Sequence, residues 1–215
     1  MTDQDLKALE QRTFRTVTDD GLWDVLIAAP FANLAIAPLL SEDLGDFWSS
    51  ALLAPFWLAT YLVIRVVRHR IIAPRVGTVR FGADRQQRLR RLGIVMVVVN
   101  VIAAGLGVVA FIGVQLDWID LGNGSIGYPL LLGITILIGF SVAAAVTGIP
   151  RYYLYGLLLA VAPLVGEWLW RQGHATHHGY PVVFGAAAAI IFITGMVRFT
   201  AIVRSHPLPH HTAPV

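Results

Sequence analysis

Long apolar runs separated by polar segments set the pattern of this chain. A membrane hydrocarbon core ~30 Å thick requires ~20 helical residues, and six runs approach or exceed that length. The runs cover residues 22–40, 47–64, 92–114, 128–147, 152–170 and 181–203. The pattern therefore predicts an all-α fold, a transmembrane helical bundle with six spans.

The first run is the weakest of the six, because polar and helix-breaking residues interrupt it. These residues are Asp24, Pro30, Asn33 and Pro38. A re-entrant hairpin formed with the segment 47–64 is the alternative, since irregular backbone is tolerated at membrane depth where protein covers it. Full spanning is the preferred interpretation.

The polar segments around these runs define the rest of the organisation. Residues 1–21 place acids before apolar residues at near-helical spacing, which predicts an interfacial amphipathic helix. Residues 22–204 form the membrane domain, and its longest polar connection is the basic loop 65–91. We expect that loop to be irregular over 71–82 and helical afterwards. The proline-rich tail, 205–215, is predicted to be disordered.

Composition and charge agree with a membrane protein and give it an orientation. Hydrophobic residues make up 56% of the chain, charged residues only 13%, and the mean hydropathy is +0.68, which excludes an ordinary soluble domain. With a cytoplasmic amino terminus, 15 of the 16 Lys and Arg residues fall on the cytoplasmic side, and Arg171 alone lies outside. The positive-inside rule therefore predicts cytoplasmic termini for a multi-pass protein of the cell membrane.

The basic loop is predicted to bind lipid rather than nucleic acid. It carries nine arginines against one acid, Asp84, and each arginine near an anionic leaflet contributes ~1 kcal/mol. A nucleic-acid surface would interleave aromatic residues with the arginines, but this loop contains only Phe81. The residues predicted to bind anionic headgroups of the inner leaflet are Arg68, Arg70, Arg75, Arg80, Arg85, Arg88, Arg90 and Arg91.

One acid within a predicted span is a candidate for function. Ionisable residues in a membrane span are costly and so point to functional sites, and Glu167 is the best example here. Arg171 stands at i+4, where a helical ion pair forms. The plainer interpretation is an interfacial salt bridge. The functional interpretation is an outward-facing polar cavity that Glu167 and Arg171 share with Asn100 and Asn33.

Three histidines follow the same helix and raise the question of a metal site. Clustered neutral imidazoles can bind zinc or copper, and His174, His177 and His178 are close in sequence. A complete site needs convergent ligands, so solvated loop histidines are the favoured interpretation. The absence of cysteine excludes thiolate sites and a cysteine nucleophile. The sequence predicts no cofactor and no catalytic residue.

Small residues four positions apart mark faces on which helices approach closely within lipid. Such spacing could equally support packing within one subunit or a homodimer. The pairs are Ala103 with Gly107, Ala144 with Gly148, Gly156 with Ala160, and Gly185 with Ala189.

Several short motifs resemble those of a family of prokaryotic six-span integral membrane proteins without established activity. The motifs are PRVGTVRF at 74–81, of the form P-R-x-G-x-V-x-F, then RYYLY at 151–155, and RF at 198–199 followed by PLP at 207–209. The resemblance covers most of the chain. It implies a compact six-span protein and carries over no catalytic residue.

Three functions are consistent with these features. The preferred hypothesis is a non-enzymatic binding, scaffold or regulatory component of the membrane, with lipids as partners and a homodimer as a further option. The second is a small-solute or cation transporter that uses the polar cavity around Glu167. The third is a metal-dependent intramembrane enzyme with the three histidines as ligands.

Overall fold

The computed structural model of the chain describes residues 20–51, 53–76, 94 and 126–206. Every regular element within these ranges is helical. Six α-helices are present there: α1 (Leu22–Ala51), α2 (Leu53–Val67), α3 (Ala73–Val76), α4 (Gly127–Thr147), α5 (Arg151–Arg171) and α6 (Tyr180–Ser205). A π-helical turn, Arg68–Ile72, joins α2 to α3, and a 3₁₀ turn, His177–Gly179, precedes α6.

Four segments of the described chain are long and apolar enough to cross a membrane. They are Leu22–Gly45, Gly127–Thr147, Arg151–Arg171 and His177–Ser205. These segments match the first, fourth, fifth and sixth predicted runs, and the chain is therefore a helical membrane protein. The second run, 47–64, is also helical apart from residue 52, which is not described. The third run, 92–114, lies outside the described residues except for Ile94, as do residues 1–19 and 207–215.

Helix α1 continues through both of its prolines. Asp20 Oδ1 accepts a hydrogen bond of 3.0 Å from the Leu22 N–H and so satisfies one of the donors left open at a helix start. Pro30 and Pro38 lie inside the helix, and the regular backbone changes only at Gly45, where φ is 78° and ψ is 159°. That conformation suits glycine, so the first span ends later than the predicted residue 40.

The sequence predicts irregular backbone over 71–82, and for residues 71–76 that prediction is wrong. The backbone there stays helical through the π-turn and α3. Pro74 lacks an N–H, but a proline is tolerated in the first turn of a helix, where that donor would have no intrahelical partner. Residues 77–91 of the basic loop lie outside the described part of the chain.

Helices α4 and α5 form a close pair that depends on small residues. A Cβ at Gly133 would collide with the Ala160 carbonyl oxygen, and one at Gly156 would lie 2.6 Å from Phe140 Cβ. The prediction that Gly156 and Ala160 pack closely is therefore confirmed. Gly148 has a different role, since it ends α4 in the left-handed conformation and its N–H donates to the Ala144 carbonyl at 2.9 Å.

The chain divides into two compact units, and α6 contributes to both. The first unit combines residues 1–79 with 185–215, and the second contains residues 80–184. Among the described residues, the buried side chains of the first unit include Ala28, Ala188 and Ile191, from α1 and α6. Those of the second include Leu159 and Phe184, both fully buried.

Candidate functional site

Glu167 lies in the last turn of α5 and is 6% exposed. Its Oε1 accepts a hydrogen bond of 2.9 Å from Arg171 Nε, so the ion pair expected at i+4 is present. Its Oε2 lies 2.9 Å from His178 Nδ1. We refer to Glu167, Arg171 and His178 as the Glu167 cluster. Both carboxylate oxygens are engaged by side chains of the same helix and of the connection that follows it.

The connection between α5 and α6 brings His178 back to α5 through left-handed backbone. His177 and His178 have φ values of 50° and 54°, which few residues other than glycine adopt. Gly179 also has a positive φ, 67°, and a Cβ there would collide with the Gly166 carbonyl oxygen. Conversely, a Cβ at Gly166 would lie 2.7 Å from the His178 carbonyl oxygen. The two glycines let the connection press directly against the α5 backbone.

Aromatic rings fix the position of the His178 imidazole. Its centroid lies 4.2 Å from that of the Trp170 ring, with an angle of 36° between the planes. The centroid of the Tyr180 ring lies 6.1 Å from that of His178. The Tyr180 ring in turn packs edge-to-face against the fully buried Phe184, with 5.5 Å between the ring centroids. Offset and edge-to-face contacts of this kind add to the area that the rings bury. The imidazole is thus held between a carboxylate and an indole.

The three histidines do not converge on one point. His178 is directed to Glu167, whereas His174 is exposed and is anchored by its backbone N–H, which donates to the Leu169 carbonyl at 3.0 Å. Within the described residues no group of three or more His, Asp or Glu side chains could hold a metal ion. Of the three histidines, His178 is the one whose side chain links the connection to Glu167.

The structure brings together two of the four residues predicted for a polar cavity. Glu167 and Arg171 are paired in the second unit. Asn33 is half-buried on α1 in the first unit. Asn100 lies outside the described residues.

A second ionic group, which sequence reasoning missed, lies at the start of α1. Asp20 and Asp24 are both 0% exposed, and Asp20 Oδ2 lies 3.1 Å from Arg68 Nη2. The Arg68 guanidinium carbon also lies 5.8 Å from the centroid of the Trp23 ring. We refer to Asp20, Asp24 and Arg68 as the Asp20 cluster. A signal was available, because acids in a first helical turn complement the positive end of the helix dipole.

Close approach of α6 completes the surroundings of the Asp20 cluster. A Cβ at Gly21 would collide with the Gly195 carbonyl oxygen and would lie 3.0 Å from Arg198 Cβ. A Cβ at Gly195 would lie 3.0 Å from Asp24 Cβ. The start of α1 is therefore covered by the second half of α6, which explains why two carboxylates are removed from solvent there.

The eight arginines predicted to bind headgroups differ in their surroundings. Arg68 is paired with Asp20, and its side chain remains 36% exposed. Arg70 is exposed, while Arg75 is half-buried and its Nη1 donates to the Ile71 carbonyl at 2.8 Å. The remaining five, which lie outside the described residues, are Arg80, Arg85, Arg88, Arg90 and Arg91.

The fold and these two ionic groups define a helical membrane protein with charged side chains buried at helix ends. No protein-family model, no curated protein and no solved structure matches the chain. The resemblance to prokaryotic six-span proteins stays a prediction. Parts of its motifs, at 77–81 and 207–209, lie outside the described residues.

Proposed function

We propose that this chain is a multi-pass protein of a prokaryotic cytoplasmic membrane whose role is binding, scaffolding or regulation rather than catalysis. The observation that carries the proposal is the state of Glu167. Both oxygens of this carboxylate are held at 2.9 Å, one by Arg171 and one by His178. A carboxylate engaged in this way ties α5 to the connection that follows it, because charge-assisted hydrogen bonds are among the stronger ones in proteins.

Reconstitution of the purified chain in liposomes tests this role. We expect no release of fatty acid or headgroup from the surrounding lipid, and no uptake of small solutes or cations driven by an ion gradient. Either activity above that of protein-free liposomes would overturn the proposal, and Glu167→Gln, with the exposed-site variant His174→Ala as its control, would show whether the activity depends on the Glu167 cluster.

The proposal includes six spans with both termini in the cytoplasm. The helical backbone over 47–51 and 53–67 is long enough for a second crossing, and the apolar run 92–114 is long enough for a third. The distribution of basic residues supports the orientation.

Cysteine labelling tests the orientation directly, because the chain contains no cysteine of its own. His174→Cys places a thiol in the exposed connection between α5 and α6, and Ser205→Cys places one at the exposed end of α6. In intact cells a membrane-impermeant maleimide should label His174→Cys, and should label Ser205→Cys only after permeabilisation. The reverse pattern would contradict the orientation.

Anionic lipids and a second copy of the chain are the proposed partners. Exposed Arg70 and the loop arginines supply positive charge for inner-leaflet headgroups. The exposed apolar faces of α4, including Leu130, Ile134 and Ile138, could serve lipid contact or a homodimer. Measuring the mass of the chain in lipid nanodiscs distinguishes one copy from two.

Transport is the second candidate, and the Asp20 cluster favours it. Buried ionisable residues in a membrane span commonly mark ion pathways, and Asp24 is fully buried within the candidate span Leu22–Gly45. If the chain transports a cation, Asp24→Asn should abolish uptake in the liposome assay. Asp43→Asn, at an exposed position of the same helix, should leave it unchanged.

A further inference from the structure

An alanine-lined slot lies between α1 and α6 in the unit formed by residues 1–79 and 185–215. Ala28, Ala29, Ala32 and Ala35 follow one face of α1, and Ala188 and Ala189 contribute from α6. Such spacing normally lets two helix backbones meet, but here a cavity of ≈ 440 Å³ remains. Close-packed helices rarely leave a space larger than a water molecule, so this slot has room for an occupant of far greater size.

Contacts between the same two helices close the slot at both ends. A Cβ at Gly185 would lie 3.6 Å from Ala35 Cβ, and one at Gly195 would lie 3.2 Å from Val25 Cγ2. These glycines are ten positions apart on α6, which corresponds to ~15 Å along the helix axis. A helix of that length and ~10 Å diameter would fill ~1,200 Å³, more than the ≈ 840 Å³ of empty space in the slot, so the slot is too small for a further helix.

The lining selects an apolar occupant. Thr60 carries the only polar side chain among the described lining residues, and its hydroxyl already donates to the Phe56 carbonyl at 2.9 Å. Water needs two to four polar partners to occupy a cavity stably, and this lining does not offer them. The volume falls in the ~300–1,000 Å³ range of small-ligand pockets.

The slot opens sideways at the depth of the membrane spans. Its floor is buried, with Ala28 at 3% and Ala188 at 4% exposure, whereas Ile36, Phe56 and Phe192 at its rim are 42–47% exposed. Both long walls belong to candidate spans, Leu22–Gly45 and His177–Ser205. Hydrocarbon chains are the medium at that depth, and a space too small for a helix still admits a single acyl chain.

We propose that this slot binds one acyl chain of a membrane phospholipid. The inference rests on the proposed membrane-embedded binding role and names the class of ligand. The small side chains of α1 and α6 form the floor, and the rim residues admit the chain from the bilayer. The headgroup stays at the membrane surface.

Photolabelling of the full-length protein tests the assignment. The probe is a phosphatidylglycerol with a diazirine on one acyl chain, incorporated at low density into nanodiscs, and adducts are located by mass spectrometry. We expect adducts on residues 25–36 and 185–192 at least fivefold above those on the exposed face of α4. Equal labelling of all exposed apolar faces would overturn the assignment, and this readout requires no variant.

Two variants of α6 provide a matched comparison. Ala189→Leu places a larger side chain in the slot and should reduce labelling there at least fivefold. Ala186→Leu, exposed on the same helix and outside the lining, should leave labelling unchanged. Unchanged labelling of Ala189→Leu would contradict the assignment, as would cross-linking of a second copy through the slot.

Competition shows whether the bound acyl chain belongs to a phospholipid or to a free fatty acid. Labelling of the slot should fall in proportion as the mole fraction of the probe among the nanodisc phospholipids is lowered, whereas loss of labelling on adding free fatty acid at a mole fraction far below that of the phospholipid would overturn the choice of a phospholipid. The experiments also test acyl-chain binding in the slot separately from the proposed non-catalytic role. Lipid hydrolysis or solute uptake would overturn the non-catalytic role without changing the labelling pattern, and uniform labelling would remove the slot without adding an activity.

Discussion

Replacing His178 with alanine tests whether the Glu167 cluster holds the connection between α5 and α6 in place. The change removes the 2.9 Å contact with Glu167 Oε2 and the 4.2 Å ring contact with Trp170. A hydrogen bond to a charged group contributes ~1.5–3 kcal/mol, and a ring pair ~0.5–1.5 kcal/mol. Because the His178 side chain is 47% exposed, solvent screening favours the lower ends of both ranges, and we expect a loss of about 2 kcal/mol in the free energy of unfolding.

Replacing His178 with glycine separates the energy of the lost side-chain contacts from the strain of the left-handed backbone. The φ of 54° at residue 178 costs alanine ~1–2 kcal/mol, whereas glycine adopts it freely. Glycine also gains conformational freedom in the unfolded chain, which offsets part of this relief. His178→Gly should therefore be less stable than the wild type but more stable than His178→Ala by up to about 1 kcal/mol.

Equilibrium unfolding in mixed detergent micelles, followed by tryptophan fluorescence and circular dichroism, measures these differences. His174→Ala is the control, since His174 is exposed and its anchoring backbone N–H remains in alanine. We expect the control to lie within about 0.5 kcal/mol of the wild type. If His178→Ala were no less stable than His174→Ala, the Glu167 cluster would not hold the connection.

Two further predictions concern close packing and the second ionic group. Gly166→Ala should destabilise the protein by about 1–3 kcal/mol, because its Cβ would lie 2.7 Å from the His178 carbonyl oxygen. Gly139→Ala is the control and should be neutral or stabilising, because a Cβ there has nothing within 4 Å. Equal melting temperatures for the two variants would refute the contact at Gly166. Asp20→Asn should keep the hydrogen bond that starts α1 but lose the ion pair, and should lower the free energy of unfolding by about 1–2 kcal/mol, less than the ~3–5 kcal/mol for a fully buried pair because Arg68 is 36% exposed. Asp43→Asn, at an exposed site, should have no measurable effect, and the same unfolding titration would show whether the two variants differ.

The transmembrane helices were the most predictable part of the fold. The runs at 128–147, 152–170 and 181–203 agree with α4, α5 and α6 to within two residues at each end. The small differences lie at the ends, where Arg151 and Arg171 continue α5 beyond the apolar residues. Hydropathy reports burial in lipid, whereas a helix ends where its hydrogen bonds end.

The candidate site was predictable only where it depends on helix geometry. The ion pair of Glu167 with Arg171 follows from the rise and repeat of one helix. The contact with His178 depends on two left-handed residues and on the approach of Gly179 to Gly166, and no local pattern predicts either. The pair of Asp20 with Arg68 depends on how α1 and α2 are arranged in space.

The carboxylate of Asp20 also bears on how the protein crosses the membrane. One oxygen caps the start of α1, and the other lies 3.1 Å from Arg68 just after the end of α2, so the two ends of this hairpin lie at the same level. Whichever membrane surface holds the start of α1 therefore also holds the end of α2, so the segment between Asp20 and Arg68 crosses the membrane an even number of times.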